Sequence, residues 1–140
     1  MASRRKAREL ALQMLFQWEQ GKHSPQHVVQ SFLRTLKTDP DVEQFAQELF
    51  EGTVAEVEVL DQHVREQAKN WRLERMAAVD RNLLRLAAYE LVHHPETPPA
   101  VVINEALEIA RRYSDKDSVD FVNGVLDAIR KKLTCLPTKS

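Results

Sequence analysis

An all-α fold of about seven helices follows from three features of the 140-residue sequence. Only three glycines occur. Apolar residues recur at spacings of three and four, the period of a helix with one buried face. Period-two alternation, the mark of a half-buried strand, is nearly absent. A hydrophobic fraction of 43% and a charged fraction of 29% suit a globular chain long enough to bury a core. One compact helical domain is expected over residues 1–133, with 134–140 as a loose C-terminal tail.

The first helix is read from the stripe Ala7, Leu10, Ala11, Met14, Leu15 and Trp18, and Gly21 ends it. A second begins at Ser24–Pro25, a cap followed by proline at the first helical position, and carries Val28, Val29, Phe32, Leu33 and Leu36. Asp39–Pro40 repeats the device. It opens a long helix through Val42, Phe45, Leu49, Phe50, Val54, Val57, Leu60 and Val64 toward Ala68, with Gly52 inside it as a close packing point or a bend. "MAAVDRNLLRLAAYELVHH" is apolar around so much of its circumference that it is expected at the centre of the fold. The breaker "PETPP" leads to "AVVINEALEIARRYS". A last helix buries Val119, Val122, Val125, Leu126, Ile129 and Leu133, with aspartates early and Arg130, Lys131 and Lys132 late, as the helix dipole favours.

Several function classes are excluded by what is missing. No apolar run approaches the roughly 20 residues that span a bilayer, and no signal-peptide core follows the basic N-terminus. A lone cysteine, Cys135, gives no disulfide framework and fits a reducing compartment, so a cytoplasmic location is expected. There is no glycine-rich phosphate loop. His93 and His94 are adjacent and point about 100° apart on a helix. His23 and His27 have the right spacing for a shared ligand, but the expected helix start falls between them and no third ligand accompanies them. No catalytic residue, metal or cofactor is expected.

Charge is more informative. The net charge is −1. Yet Arg4, Arg5, Lys6 and Arg8 all precede the first acid, Glu9, so the remaining 16 basic residues face 21 acidic ones. An acidic body with a basic pole points to a localised anionic partner. On a helical wheel Arg5, Arg8, Leu12 and Phe16 form a second stripe beside the core stripe. A basic ridge ending in an aromatic pairs with phosphates and stacks an unpaired base; alternatively Phe16 meets a neighbouring helix and the arginines are solvated. Asp117, Phe121 and Gly124 form a similar strip on the last helix, where Asp117–Ser118 offer cap donors and acceptors. Gly124 there serves either a close approach to the backbone or tight helix packing. Asp80 and Glu90 project near the apolar arc of the central helix and need partners, either a core arginine such as Arg75 or Arg81 or a basic group on another protein.

"RRKARELALQMLFQWE", "VDRNLLRLAAYEL" and above all "VVINEALEIARRYSDKDSVDFVNGVLDAI" resemble the NusB family of bacterial transcription antitermination factors. The resemblance runs from about Ser3 to Leu133 and is weakest from Gly21 to Phe45. It implies a seven-helix fold in two small helical subdomains and no catalytic activity. It further implies pairing with the ribosomal small-subunit protein S-ten, called NusE in this role. The pair would bind boxA, a short single-stranded RNA of ribosomal RNA leaders, and join RNA polymerase with other Nus factors. Carried over by position, Arg4, Arg5, Lys6 and Arg8 become RNA-backbone contacts. Phe16 stands where relatives often have tyrosine, keeping stacking but losing a hydroxyl. Asp117, Ser118 and Phe121 extend the RNA surface if the two helix ends meet in space, and Asp80 matches an acidic position on the NusE-facing side. Monomer and homodimer both occur in the family. The competing expectation is a helical docking module that binds NusE without RNA affinity of its own.

Overall fold

The computed structural model describes residues 3–21 and 23–135. Among these are seven α-helices: α1 (Arg4–Gln20), α2 (Pro25–Thr35), α3 (Pro40–Ala55), α4 (Val57–Gln67), α5 (Ala78–His93), α6 (Pro99–Tyr113) and α7 (Lys116–Cys135), with one 3-10 turn at Leu73–Arg75. The starts follow the local chemistry. Ser3 Oγ accepts from the Lys6 N–H at 3.1 Å, Ser24 Oγ from the His27 N–H at 3.2 Å, and the Asp39 carboxylate from the Asp41 N–H at 2.8 Å. Pro25, Pro40 and Pro99 occupy first positions, where a missing N–H costs nothing. Gly21 closes α1, its N–H donating to the Gln17 carbonyl at 2.9 Å.

Two boundaries differ from expectation. The single helix expected from Pro40 toward Ala68 is broken at Glu56, whose φ of −108° and ψ of 15° leave the helical region. The break lets α4 leave α3 and pack on α5 and α7, while α3 stays against α1. Gly52 is not the break. It is a close packing point, where a Cβ would sit 2.1 Å from the Tyr89 hydroxyl and 2.2 Å from its Cζ. At the other end α7 continues through Thr134 and Cys135, two residues past the expected boundary, and 136–140 of the expected tail lie outside the described residues.

The helices form two sets. α1, α2 and α3 pack on one another; α4, α6 and α7 gather around α5, which also lies against α1 and α3. One continuous apolar cluster runs through both sets, from Leu10, Met14 and Leu15 through Leu49 and Phe50 to Leu84, Ile109, Leu126 and Ile129. α5 is buried around most of its circumference, as its composition predicts.

Charged groups are sunk into this core, most of them in ion pairs. Arg8, 5% exposed, forks onto Glu90, 1% exposed, with Nε and Nη2 donating at 2.6 and 2.8 Å. The partner of Glu90 is thus neither Arg75 nor Arg81. Arg81 donates to Glu19 through Nε and Nη2, and Arg85 reaches Glu19 at 2.8 Å and Asp61 at 2.7 and 2.9 Å. Burial works against the Glu19 charge, but hydrogen bonds from Arg81 and Arg85 outweigh it and hold the carboxyl below its ordinary range. Arg85 is likewise penalised by burial, and Asp61 and Glu19 still raise it.

Removing one member of the Arg8–Glu90 pair strands a buried charge, a loss of about 3–5 kcal/mol. Arg8→Met and Glu90→Leu are each expected to lower the urea midpoint sharply. The double variant should recover most of the loss, and additive losses would show that the fork is not a coupled pair. The second expectation concerns acid. A lowered folded pKa gives stability that is complete above the unfolded value of about 4.3 and is lost as pH falls through the folded value. Urea midpoints should therefore drop from pH 5 toward pH 2, and the drop should be shallower in Glu19→Gln.

Candidate nucleic-acid interface

The first turn of α1 carries three accessible cations, fanned out by about 100° from one to the next. Arg4 and Lys6 are exposed and Arg5 is half-exposed. Each is anchored differently. The Arg4 guanidinium lies 3.9 Å from the centre of the Phe45 ring. Arg5 donates through Nε and Nη2 to Glu105 at 2.8 and 2.7 Å. That hydrogen-bonded pair raises the Arg5 pKa and lowers that of Glu105. Arg8 faces inward on Glu90, so it braces the basic turn from below. An open hollow of about 630 Å³ lies here, lined by Arg4, Arg5, Arg8, Thr97, Val101 and Glu105.

The stripe read from the helical wheel is exposed only at its two ends. Arg5 and Phe16 are three turns apart, about 16 Å along the axis, and the middle is covered. Leu12 is buried, and Arg112 of α6 donates to Glu9 at 2.7 Å across it. Beyond that cover Phe16 emerges, 39% exposed, in an apolar groove of about 350 Å³ with Phe32, Val79 and Tyr113.

Asp117, Ser118 and Phe121 come together with Asp80 on a narrower groove of about 190 Å³, whose other wall is Trp71. The indole and the Phe121 ring are 5.6 Å apart and inclined at 59°. Asp80, 6% exposed, accepts from Ser114 Oγ at 3.1 Å. The cap of α7 differs from expectation: Asp115, not Asp117 or Ser118, accepts the free Ser118 N–H at 2.8 Å, which leaves the exposed Asp117 carboxylate available. Gly124 does not pack tightly against another helix, since a Cβ there would meet nothing within 4 Å.

The hollow beside the N-terminal end of α1 and the groove at the start of α7 have no lining residue in common. They are linked by the last turn of α6, where Arg111 and Arg112 precede Tyr113 beside Phe16 and Ser114 on Asp80. Sequence reasoning missed Trp71, Arg112 and Tyr113. Their signals were an aromatic in the polar turn "KNWRLER" and the ending "RRYS", both easily taken as solvated boundaries. The helix start does fall between His23 and His27 as expected, yet it does not keep them apart, for their rings stack at 4.4 Å. Among the described residues no group of three potential ligands could hold a metal, and no helix is long and apolar enough to cross a membrane.

Comparison with known proteins shows the family and the fold. The NusB family model matches residues 5–131. The transcription antitermination protein NusB of Koribacter versatilis is 51% identical over 132 residues, covering 94% of this chain and 90% of that protein. The structure of T. maritima NusB superposes with a TM-score of 0.84 at 34% identity, covering 94% of each chain. A chain from a complex of the antitermination factors NusB and NusE with double-stranded RNA gives a TM-score of 0.81 at 28% identity, covering 92% of this chain and 96% of that one. The protein belongs to the NusB family of transcription antitermination factors, whose members are not enzymes.

Proposed function

We propose that this protein binds single-stranded boxA-type RNA together with NusE and acts in antitermination of ribosomal RNA transcription, in the cytoplasm, alongside RNA polymerase and the other Nus factors. The observation that carries the proposal is the division of one surface into two chemistries. Exposed cations stand at the start of α1, and aromatic side chains flank the grooves beside α6 and α7. Phosphate contacts position a nucleic acid and base contacts specify it, and the two ends are arranged for those two tasks. The related chain solved with NusE and RNA supports both partners.

Arg4, Arg5 and Lys6 take RNA phosphates, and Arg112 adds a fourth cation. Arg8 serves them from beneath, through Glu90. Phe121, Asp117 and Ser118 meet bases. NusE docks along the apolar groove of Phe32, Val79 and Tyr113, where Phe16 is shared by RNA and partner and Asp80 stands at the junction. A homodimer would use the same apolar face and compete with NusE. Docking of NusE without RNA affinity is the competing reading, and the apolar character of the Phe16 groove favours it for that groove alone.

Fluorescence anisotropy of a labelled boxA-type RNA, with and without NusE at several salt concentrations, tests the proposal. Binding should be weak alone, tighten with NusE, and weaken as salt rises. The double variant Arg4→Ala/Lys6→Ala should keep its helicity while its salt slope falls by about 1.4, near 0.7 for each lost phosphate contact on a single strand. An unchanged slope in the folded variant would move the docking reading ahead. Glu105→Gln should act in the opposite direction, because it frees Arg5 and removes an anion from the ridge. RNA affinity is expected to rise about two- to fivefold, with stability changed by at most about 1 kcal/mol; a weaker complex would show that Glu105 orients Arg5 for binding.

A further inference from the structure

We infer that His94 is a proton-operated positioning residue for Arg4. Its imidazolium holds Glu96 and leaves the Arg4 guanidinium on the Phe45 ring for phosphate; loss of that proton turns Glu96 onto Arg4 and weakens RNA binding. This rests on the RNA binding proposed above and adds to it a residue at the end of α5 and a pH dependence.

An open hollow of about 390 Å³ lies between the start of α1, α3 and the end of α5, lined by Arg4, Asp41, Phe45, Glu48, His94 and Glu96 among others. The Phe45 ring is its fixed wall. That ring carries the Arg4 guanidinium 3.9 Å from its centre and meets the His94 ring edge-on, at 5.9 Å and 86°. His94 is the cap residue of α5, its N–H donating to the Glu90 carbonyl at 2.9 Å, and it is only 9% exposed. Its ring lies between two carboxylates. Nδ1 is 2.8 Å from an oxygen of Glu96, and Nε2 is 3.4 Å from an oxygen of Glu48.

A neutral imidazole has one N–H and one lone pair, so between two carboxylates it sets the lone pair against an anion. The imidazolium donates at both nitrogens, and the last carbonyls of α5 favour a cation there. The surrounding charges point the same way. α3 presents Glu48 and Asp41, the turn after α5 presents Glu96, and α1 presents Arg4. Arg8 lies 5.9 Å from the Phe45 centre but is committed to Glu90, and the neighbouring His93 faces Glu56 at 3.5 Å. The Tyr89 ring is 5.7 Å from that of His94; burial, with Glu48 and Glu56, raises the Tyr89 pKa, so its hydroxyl stays neutral.

Glu96 is the shared member. The hydrogen bond with His94 does most to hold its carboxyl below the ordinary range, and the Arg4 charge acts in the same sense. Glu96 and Arg4 also meet again in the lining of the larger hollow over Arg5 and Glu105. Imidazoles exchange a proton between about pH 5 and 8. Once His94 is neutral, Arg4 is the cation left for Glu96, and a guanidinium paired with a carboxylate no longer offers a phosphate its full charge. RNA binding therefore favours the protonated form and strengthens as pH falls through this range.

Affinity for a labelled boxA-type RNA would be measured with NusE at pH 6 and pH 8 at one salt concentration, each variant against wild type at the same pH. His94→Gln should bind about two- to fivefold more weakly than wild type at pH 6 and equally at pH 8, the size of one exposed ion pair. Glu96→Gln should mirror it, equal at pH 6 and about two- to fivefold tighter at pH 8. In an Arg4→Ala background, His94→Gln should change nothing at either pH. Equal weakening of His94→Gln at both pH values shows a structural role alone and overturns the inference, as does wild-type affinity at both. In either case a reduced salt slope in Arg4→Ala/Lys6→Ala keeps the RNA proposal. A pH contrast that survives in the Arg4→Ala background assigns the effect to another cation and overturns it too. No RNA binding by any form overturns both proposals.

Discussion

The structure depends on how α1 is fastened to α5. Near its start α1 offers Arg8 to Glu90, at the end of α5; near its finish it offers Glu19 to Arg81 and Arg85, in the first half of α5. The helices therefore run antiparallel with opposite charges at both ends. Apolar burial alone cannot impose this, because it is non-directional and both helices are apolar over broad arcs. The charges can. A reversed α1 would set Arg8 against Arg81 and Arg85 and Glu19 against Glu90. A slide of one turn, about 5.4 Å, would strip both contacts and leave buried charges bare. Orientation and register are thus specified electrostatically, and the outer face of α1 inherits the result.

From that fixed register the proposed binding surface follows. Arg4, Arg5 and Lys6 belong to the same rigid rod as Arg8, so they cannot drift as a flexible basic tail would. α6 then covers the middle of the rod through Arg112 and Glu9, and its end leads to Tyr113 and to Ser114 on Asp80. Cationic and aromatic regions are thus held at a set separation by the packing of α6 on α1 and α5. Acidic neighbours keep the cationic end from being a general polyanion trap. Glu105 and Glu9 answer Arg5 and Arg112 directly, so much of the local positive charge is already spoken for.

Much of the fold was legible because its signals are local. Proline–cap pairs at Ser24–Pro25 and Asp39–Pro40, the stop at Gly21, and the all-round apolar α5 need no tertiary knowledge. The failures share a cause as well. Nothing in "GTVAEVEV" marks Glu56 as a break, because α5 and α7 decide where α4 must lie. Arg8 reads as one more member of a basic run, since its mate is 82 residues away. The groove around Phe121 was half legible: Asp117, Ser118 and Phe121 stand in one segment, whereas Trp71 arrives from a turn whose importance appears only when the chain is folded.

The closures that complete this surface span nearly the whole chain. Arg5 meets Glu105 across 100 residues and Glu9 meets Arg112 across 103. At about 5–20 residues per second of synthesis, α1 leaves the ribosome some 5–20 s before α6 exists to cover it. For most of that interval the basic turn has neither Glu105 nor Glu90 to hold it, and the Trp71–Phe121 groove lacks a wall. The nascent chain therefore carries charge without alignment, and the two-part surface is assembled only once the last helices have been made. The two-part surface is therefore a property of the folded domain, and a fragment cut short before α6 and α7 would display the cations of α1 without Glu105, Arg112 or Phe121 beside them.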